Sequence, residues 1–108
     1  MKPPVRKTLP HNPPAWVRKE EATFFITMNC QSRGGNQLCR QNIGSSLLDT
    51  VRYRHKRGDW WVDIFLLMPD HLHALLSFPS AGDMEKVVRA WKHYTATQLG
   101  IRWQRDFF

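Results

Sequence analysis

Two histidines separated by one residue, His71 and His73, are the side chains of this sequence best suited to chemistry. They lie within residues 65–79, a stretch that is otherwise mostly apolar. On a β-strand, residues two apart point to the same face of the sheet, so both imidazoles project to one side. Their ring nitrogens can then converge on one metal ion. The pair is therefore a candidate catalytic metal centre.

Two imidazoles fill only part of the coordination shell of most metal ions, so a carboxylate, an amide, a substrate phosphate or water must complete it. Asp70 is the nearest acidic residue in sequence, but its position at the entrance of the strand is equally explained by a turn. The spacing also allows histidines that bind no metal and are hydrogen-bonded to their neighbours. The residue pattern alone leaves these alternatives open.

The alternation of apolar residues predicts which way the histidines face. In residues 71–78 one face is uniformly apolar, and the opposite face carries both histidines with Leu75 and Ser77. The apolar face is expected to contact the core. We therefore expect His71 and His73 on the more open face of the sheet.

Hydrophobic periodicity and turn residues predict six elements. They are strands at residues 22–30, 60–68, 71–78 and 101–108 and helices at residues 37–57 and 83–99, with Asp83 as the N-cap of the second helix. The order strand, helix, strand, strand, helix, strand is the ferredoxin-like βαββαβ arrangement. It predicts an α+β domain with a four-stranded antiparallel sheet, both helices on one face, and the first and third strands in the centre.

Composition limits the class of protein. The chain of 108 residues has the length of one domain, and residues 1–19, with five of its seven prolines, are predicted to form a basic arm before a domain at 20–108. A net charge of +7 favours a polyanionic partner, of which nucleic acid is the commonest, although many soluble proteins are simply basic. No apolar run has transmembrane length and no signal peptide precedes the arm, so a cytoplasmic protein without a membrane partner is expected.

The surroundings of the histidine pair resemble a known family. Residues 68–73, with the sequence MPDHLH, are similar to the signature of the single-tyrosine HUH transposases, and most of all to the REP-associated tyrosine transposases. Residues 24–27 (FFIT), 91–96 (WKHYTA) and 103–108 (WQRDFF) resemble that family's opening strand, its second helix and the segment leading to its catalytic helix. The resemblance covers roughly residues 16–108.

The resemblance implies a mechanism. His71 and His73 would hold a divalent cation, Mg²⁺ or Mn²⁺, that acts as a Lewis acid on the scissile phosphate of single-stranded or hairpin DNA. A tyrosine would attack this phosphate and form a 5′-phosphotyrosine intermediate, which is then used for strand transfer. The open face of the sheet suits a flexible single strand, whose backbone would contact basic residues.

The chain departs from the family pattern in its tyrosines, which are Tyr53 and Tyr94 only. In the family, the nucleophile lies on a helix after the WQRDFF-like segment, so it is expected beyond Phe108, together with a contribution to the metal site. Tyr94 is a weak substitute because its helix is expected on the face opposite the histidines. The chain is therefore interpreted as a C-terminally truncated member, and whether it is an enzyme is left undecided.

Charge predicts the residues that contact DNA, and these are Arg18, Lys19, Lys92, Arg102 and Arg105. Two other functions remain open. One is a DNA-binding remnant without catalysis, and the other is an unrelated metal hydrolase that uses the HxH pair. A monomer and a homodimer are both compatible with the sequence.

Overall fold

A computed structural model describes residues 5–7, 23–31, 34–40, 42–80 and 82–107. These residues contain two helices and five strands. In chain order they are β1 (Val5–Lys7), β2 (Thr23–Cys30), α1 (Ile43–Arg57), β3 (Trp61–Leu67), β4 (His71–Ser77), α2 (Asp83–Leu99) and β5 (Trp103–Phe107). In the part of the chain that the structure describes, no helix is both long and apolar enough to cross a membrane.

The five strands form one antiparallel sheet with the order β1-β3-β4-β2-β5. Strands β2 to β5 and the two helices reproduce the predicted ferredoxin-like α+β fold, with β2 and β4 in the centre. Strand β1 was not anticipated. It lies inside the predicted basic arm, and it pairs with the outer edge of β3, where Val5 is opposite Leu67. The rest of the arm lies outside the described residues.

The core lies between the two helices and one face of the sheet. On the central strands this face carries Ile26, Met28, Leu72, Ala74 and Leu76, all almost fully buried. These residues alternate with more exposed ones along both strands. The period of two therefore assigned the buried face of β4 correctly, and β2 follows the same alternation.

Trp91 of α2 occupies the centre of this core and is fully buried. Its ring lies 5.6–5.9 Å, between centroids, from the rings of Trp60, Phe65 and Trp103. Its indole Nε1 donates a hydrogen bond to Thr50 Oγ1 of α1 at 2.9 Å. Trp91 thus joins both helices to the sheet through apolar contacts and one satisfied polar group.

Strand β3 contains a bulge at Asp63, because Val62 pairs with Leu76 and Ile64 pairs with Leu75. The extra residue places a charged side chain in an otherwise apolar strand without directing it into the core. Apart from Asp63, β3 is apolar on both faces, a pattern typical of a strand that is covered on both sides. Ile64, however, is 38% exposed on the open face of the sheet.

The starts of both helices differ from their predicted positions. Helix α1 begins at Ile43 rather than at residue 37, and the preceding Asn42 has a φ of 76°, outside the right-handed helical region. Further back, the backbone N–H groups of Gln37 and Leu38 donate to the carbonyl of Pro69. Helix α2 spans the predicted residues, but Asp83 is its first helical residue and Gly82 is its N-cap. Local periodicity therefore placed the start of α1 too early, whereas the extent of α2 was correct.

We expect stability to fall in mild acid because of His55 on α1. Its Nδ1 accepts a hydrogen bond from the Val62 N–H at 3.1 Å, and its ring lies 4.4 Å from that of Trp61. Burial lowers the pKa of His55 below its usual value of 6.5, and the Asp63 carboxylate partly offsets this. Its contribution is therefore complete above pH 6.5 and is lost as the pH falls below that value, where the unfolded chain binds the proton more tightly.

Urea unfolding at a series of pH values will measure this dependence. The His55→Asn variant should be less stable at neutral pH, yet lose less stability on acidification than the wild type. Equal pH slopes for the two proteins would rule out His55 as the cause.

Candidate metal centre on the open sheet face

Strand β4 carries both histidines on the face away from the helices, as predicted. Cross-strand pairing places Thr27 of β2 opposite His73 on one side and Leu66 of β3 opposite it on the other. The two imidazole centroids are 5.0 Å apart, and the ring planes are nearly perpendicular at 75°. Because β4 lies between β2 and β3, the histidine pair is flanked by side chains from both strands.

The first imidazole is oriented by Asp70. His71 Nδ1 donates a hydrogen bond to Asp70 Oδ1 at 2.8 Å. The second carboxylate oxygen, Asp70 Oδ2, accepts a hydrogen bond from the backbone N–H of Gly34, also at 2.8 Å. Gly34 has a φ of 91°, in the left-handed region that glycine adopts readily. Asp70 therefore ties the histidine to the loop after β2.

The second imidazole is oriented from β2. Thr27 Oγ1 and His73 Nδ1 are hydrogen-bonded at 3.0 Å. The ring of Phe25, two residues earlier on the same strand, stacks on the His73 ring with centroids 5.6 Å apart and planes inclined by 23°. Burial, and next the adjacent His71, lower the pKa of His73, which favours the neutral imidazole.

The donor set fits two of the ligands of a divalent cation. Because the Nδ1 atoms of His71 and His73 are engaged by Asp70 and Thr27, the Nε2 atom of each ring is the nitrogen left to bind a metal. Outer partners of this kind fix the tautomer and orientation of histidine ligands. Within the described residues, no group of three or more His, Cys, Asp or Glu side chains is arranged to hold a metal ion. Asp70 orients His71 through the hydrogen bond that its Oδ1 accepts from Nδ1 of that ring.

An apolar slot adjoins the histidine pair. It has a volume of about 260 Å³ and is lined by Phe25, Ile64, Leu66, His73, Ala74 and Leu75. The His73 ring is thus a wall of this slot as well as a member of the pair. Sequence reasoning did not assign a role to Phe25 or Thr27. Their signal was present, since the alternation of β2 places both on the same face as the histidines.

The residues predicted to contact DNA are dispersed. Arg18 and Lys19 lie outside the described residues. Arg102 and Arg105 are exposed and line a cleft of about 460 Å³ between α2 and β5, which Arg89 of α2 also lines. Arg89 was not predicted, although it lies one helical turn before Lys92.

Lys92 does not occupy the surface position expected from the helical pattern. It is only 8% exposed, and its Nζ donates to the carbonyl oxygens of Gln104 and Arg105 at 2.7 and 3.0 Å. Burial, and next the neighbouring Arg89, lower the pKa of its ammonium, while Asp106 opposes them. Strand β5 docks over this side chain, so Lys92 holds the strand rather than facing a DNA backbone.

Both tyrosines lie in the helical layer, on the other side of the sheet from the histidines. Tyr94 stacks beneath the guanidinium of Arg54, and Tyr53 beneath that of Arg57, at 5.3 and 5.2 Å. This agrees with the expectation that Tyr94 is remote from the histidine pair, because the whole sheet separates them.

Comparison with known proteins identifies the family. The family model described as IS200-like transposase matches residues 21–106, which include every element except β1. The chain belongs to the IS200-like transposase family. This agrees with the family that residues 68–73 and 103–108 resemble. Comparison with curated proteins found no match.

The fold of this transposase-family chain is also that of a solved structure, described as the REP-associated tyrosine transposase bound to a REP hairpin. The two share 16% sequence identity with a TM-score of 0.58. The match covers 93% of this chain and 60% of the solved chain. The chain therefore spans about three-fifths of the length of that transposase.

Proposed function

We propose that this chain binds single-stranded or hairpin DNA across its open sheet face and presents one backbone phosphate to His71 and His73. The observation that carries the proposal is the orientation of the two imidazoles. Both Nδ1 atoms are engaged by protein groups, so the Nε2 atom of each ring is the nitrogen left for a ligand. In an IS200-like transposase that ligand set serves phosphodiester chemistry on DNA.

Mg²⁺ or Mn²⁺ is the metal that this pair would hold, since members of the family generally use a divalent cation. When bound, it would polarise a phosphate oxygen and stabilise negative charge on the phosphate. The protein's contribution is to fix the orientation of both imidazoles. Asp70 and Thr27 do this by accepting or sharing the Nδ1 proton of each ring.

Basic side chains support DNA as the partner. Arg89, Arg102 and Arg105 line the cleft between α2 and β5, and the overall net charge is +7. Guanidinium groups bind phosphate oxygens well, and summed positive charge accelerates association with a polyanion. We assign Arg102 and Arg105, at the β5 edge of the sheet, to backbone contact. Arg89 lies on α2 and is paired with Glu85. Arg18 and Lys19 stay a prediction from charge.

Cleavage and rejoining through a 5′-phosphotyrosine would need a nucleophile on the histidine face. Tyr53 and Tyr94 lie in the helical layer, so we assign neither to this role. In a protein that follows the family pattern, the tyrosine would come from beyond residue 108. The second candidate function, DNA binding without catalysis by residues 1–108, is favoured by this same placement. The family match argues against an unrelated metal hydrolase.

Binding of a fluorescent hairpin oligonucleotide with a single-stranded extension, followed by anisotropy, tests the proposal. We expect binding that weakens steeply with salt, because displaced counterions drive phosphate contacts, with a log–log slope of about −0.7 per phosphate contact for a single strand. The Arg102→Ala variant should reduce the slope by about one contact. Samples with Mn²⁺ should show no covalent adduct on a denaturing gel.

The matched control is Lys56→Ala, an exposed cation at the end of α1 in the helical layer. It should leave the slope nearly unchanged. Salt-independent binding, or the absence of binding, would contradict the proposed function. An adduct lost in Tyr94→Phe would contradict our exclusion of the tyrosines.

A further inference from the structure

The apolar slot beside His73 has features of a binding site. Phe25 is 66% exposed, which is unusual for a large aromatic side chain in the middle of a strand. Its neighbours across the sheet, Leu75 and Ile64, extend the same surface, and the atoms exposed to the slot are apolar, although the His73 ring forms one wall. A group that enters it must therefore be apolar on the side that it presents to the protein.

The position of the slot selects its occupant. His73 is at once a wall of the slot and one of the two imidazoles proposed to face a phosphate. Leu75 and His73 are two residues apart on β4, so their side chains are separated by about 7 Å, the scale of a single nucleotide. In a DNA strand, the planar and largely apolar groups within that distance of a phosphate are the nucleobases.

We infer that the slot formed by Phe25, Ile64, Leu66 and Leu75 receives a nucleobase of single-stranded DNA, stacked on the Phe25 ring, next to the phosphate held at the histidine pair. This inference rests on the proposed function and specifies the form of DNA that it takes. A base can enter the slot only when it is unpaired and unstacked, so the slot favours a single strand over a duplex.

The geometry also assigns Phe25 a second effect. Its ring stacks on His73 at a 23° inclination, so a base stacked on the other face of Phe25 would lie one ring away from that imidazole. The slot would in this way set the register of the strand. The phosphate adjoining the stacked base is the one brought to His71 and His73.

Two DNA analogues with equal charge test this inference. One is an oligothymidylate, and the other is an abasic strand of the same length, which keeps the phosphates and lacks the bases. We expect wild-type protein to bind the oligothymidylate more tightly. Phe25→Ala should weaken oligothymidylate binding by about 10-fold, as expected for the loss of one base–aromatic stack, and leave abasic binding within about 2-fold.

Three further variants make the result specific. Phe25→Leu should keep the apolar surface but not the stacking, and so resemble Phe25→Ala, whereas Phe25→Trp should restore binding. Tyr53→Ala removes an aromatic ring that is 61% exposed in the helical layer, and it should leave both affinities unchanged. Circular dichroism and urea unfolding check that each variant is folded.

The possible results separate this inference from the proposed function. If Phe25→Ala weakens binding of the oligothymidylate and of the abasic strand equally, the inference of a base-binding slot is overturned. Phe25 would then act through the fold or through His73. If the wild type binds oligothymidylate and Phe25→Ala does not weaken this binding, the slot inference is overturned but the proposed function is not. No wild-type binding to either strand would overturn the proposed function and this inference with it. A dimer that dissociates in Phe25→Ala without DNA would assign the slot to a second copy of the chain.

Discussion

Replacing Trp91 by alanine is expected to lower the free energy of unfolding by about 3–5 kcal/mol, as for other large aromatic residues truncated in a core. Trp91 is fully buried and contacts Trp60, Phe65 and Trp103. Its removal leaves a cavity beneath the sheet, and it also deprives Thr50 of its hydrogen-bond donor. A domain of this size has little stability to spare, so the variant is expected to be largely unfolded at physiological temperature.

Urea denaturation followed by far-ultraviolet circular dichroism measures the effect. Trp91→Phe should be much milder, because it keeps an aromatic ring in the core. Tyr94→Ala, three residues later on the same helix, removes a ring that is 45% exposed and should cost about 1 kcal/mol or less. A Trp91→Ala protein as stable as the Tyr94→Ala protein would contradict the position of Trp91 at the centre of the core.

Removing either imidazole of the pair is expected to lower the affinity for Mn²⁺ by about 100-fold or more in the presence of oligothymidylate. Loss of an outer partner of a metal-binding histidine typically costs about 10–100-fold, and loss of the histidine itself should cost at least as much. The measurement is titration of free Mn²⁺ by electron paramagnetic resonance with His71→Ala and His73→Ala. This readout does not depend on DNA cleavage.

Two variants give the control and the graded comparison for this prediction. Asp49→Asn removes an exposed carboxylate from α1, in the helical layer, and should leave Mn²⁺ affinity unchanged. Thr27→Val is nearly isosteric and removes only the hydroxyl that is hydrogen-bonded to His73 Nδ1, so it should cost about 10-fold. Mn²⁺ affinity that is insensitive to both histidines would exclude the pair as the metal site.

The local pattern of the chain was sufficient for much of the fold and for the orientation of the pair. Strand alternation has a period of two, and it depends only on backbone geometry. It therefore placed His71 and His73 on the face opposite Leu72 and Ala74 before any contact was known. The order of elements then led to the βαββαβ topology, because connection lengths and handedness leave few alternatives.

Contacts between distant segments could not be read in this way. The hydrogen bond of Thr27 to His73 depends on the register between β2 and β4, and the contact of Asp70 with Gly34 depends on the course of the loop after β2. Both involve residues more than thirty positions apart in sequence. A sequence pattern identifies the face of a strand, but the pairing register and loop path result from packing of the whole domain.

Lys92 and β1 show the same division. A lysine on a helix is predicted to be exposed, and only the docking of β5 over α2 brings two backbone carbonyls to its ammonium and makes burial tolerable. Strand β1 is three residues long and carries little periodic signal, so its pairing with β3 arises from the free edge that β3 offers. The sequence by itself determined both helices, strands β2 to β5, the family and the face of the histidine pair. Tertiary structure alone decided which partners orient the imidazoles, which cations remain exposed, and that Phe25 stands beside His73, because each of these depends on atoms brought together from distant parts of the chain.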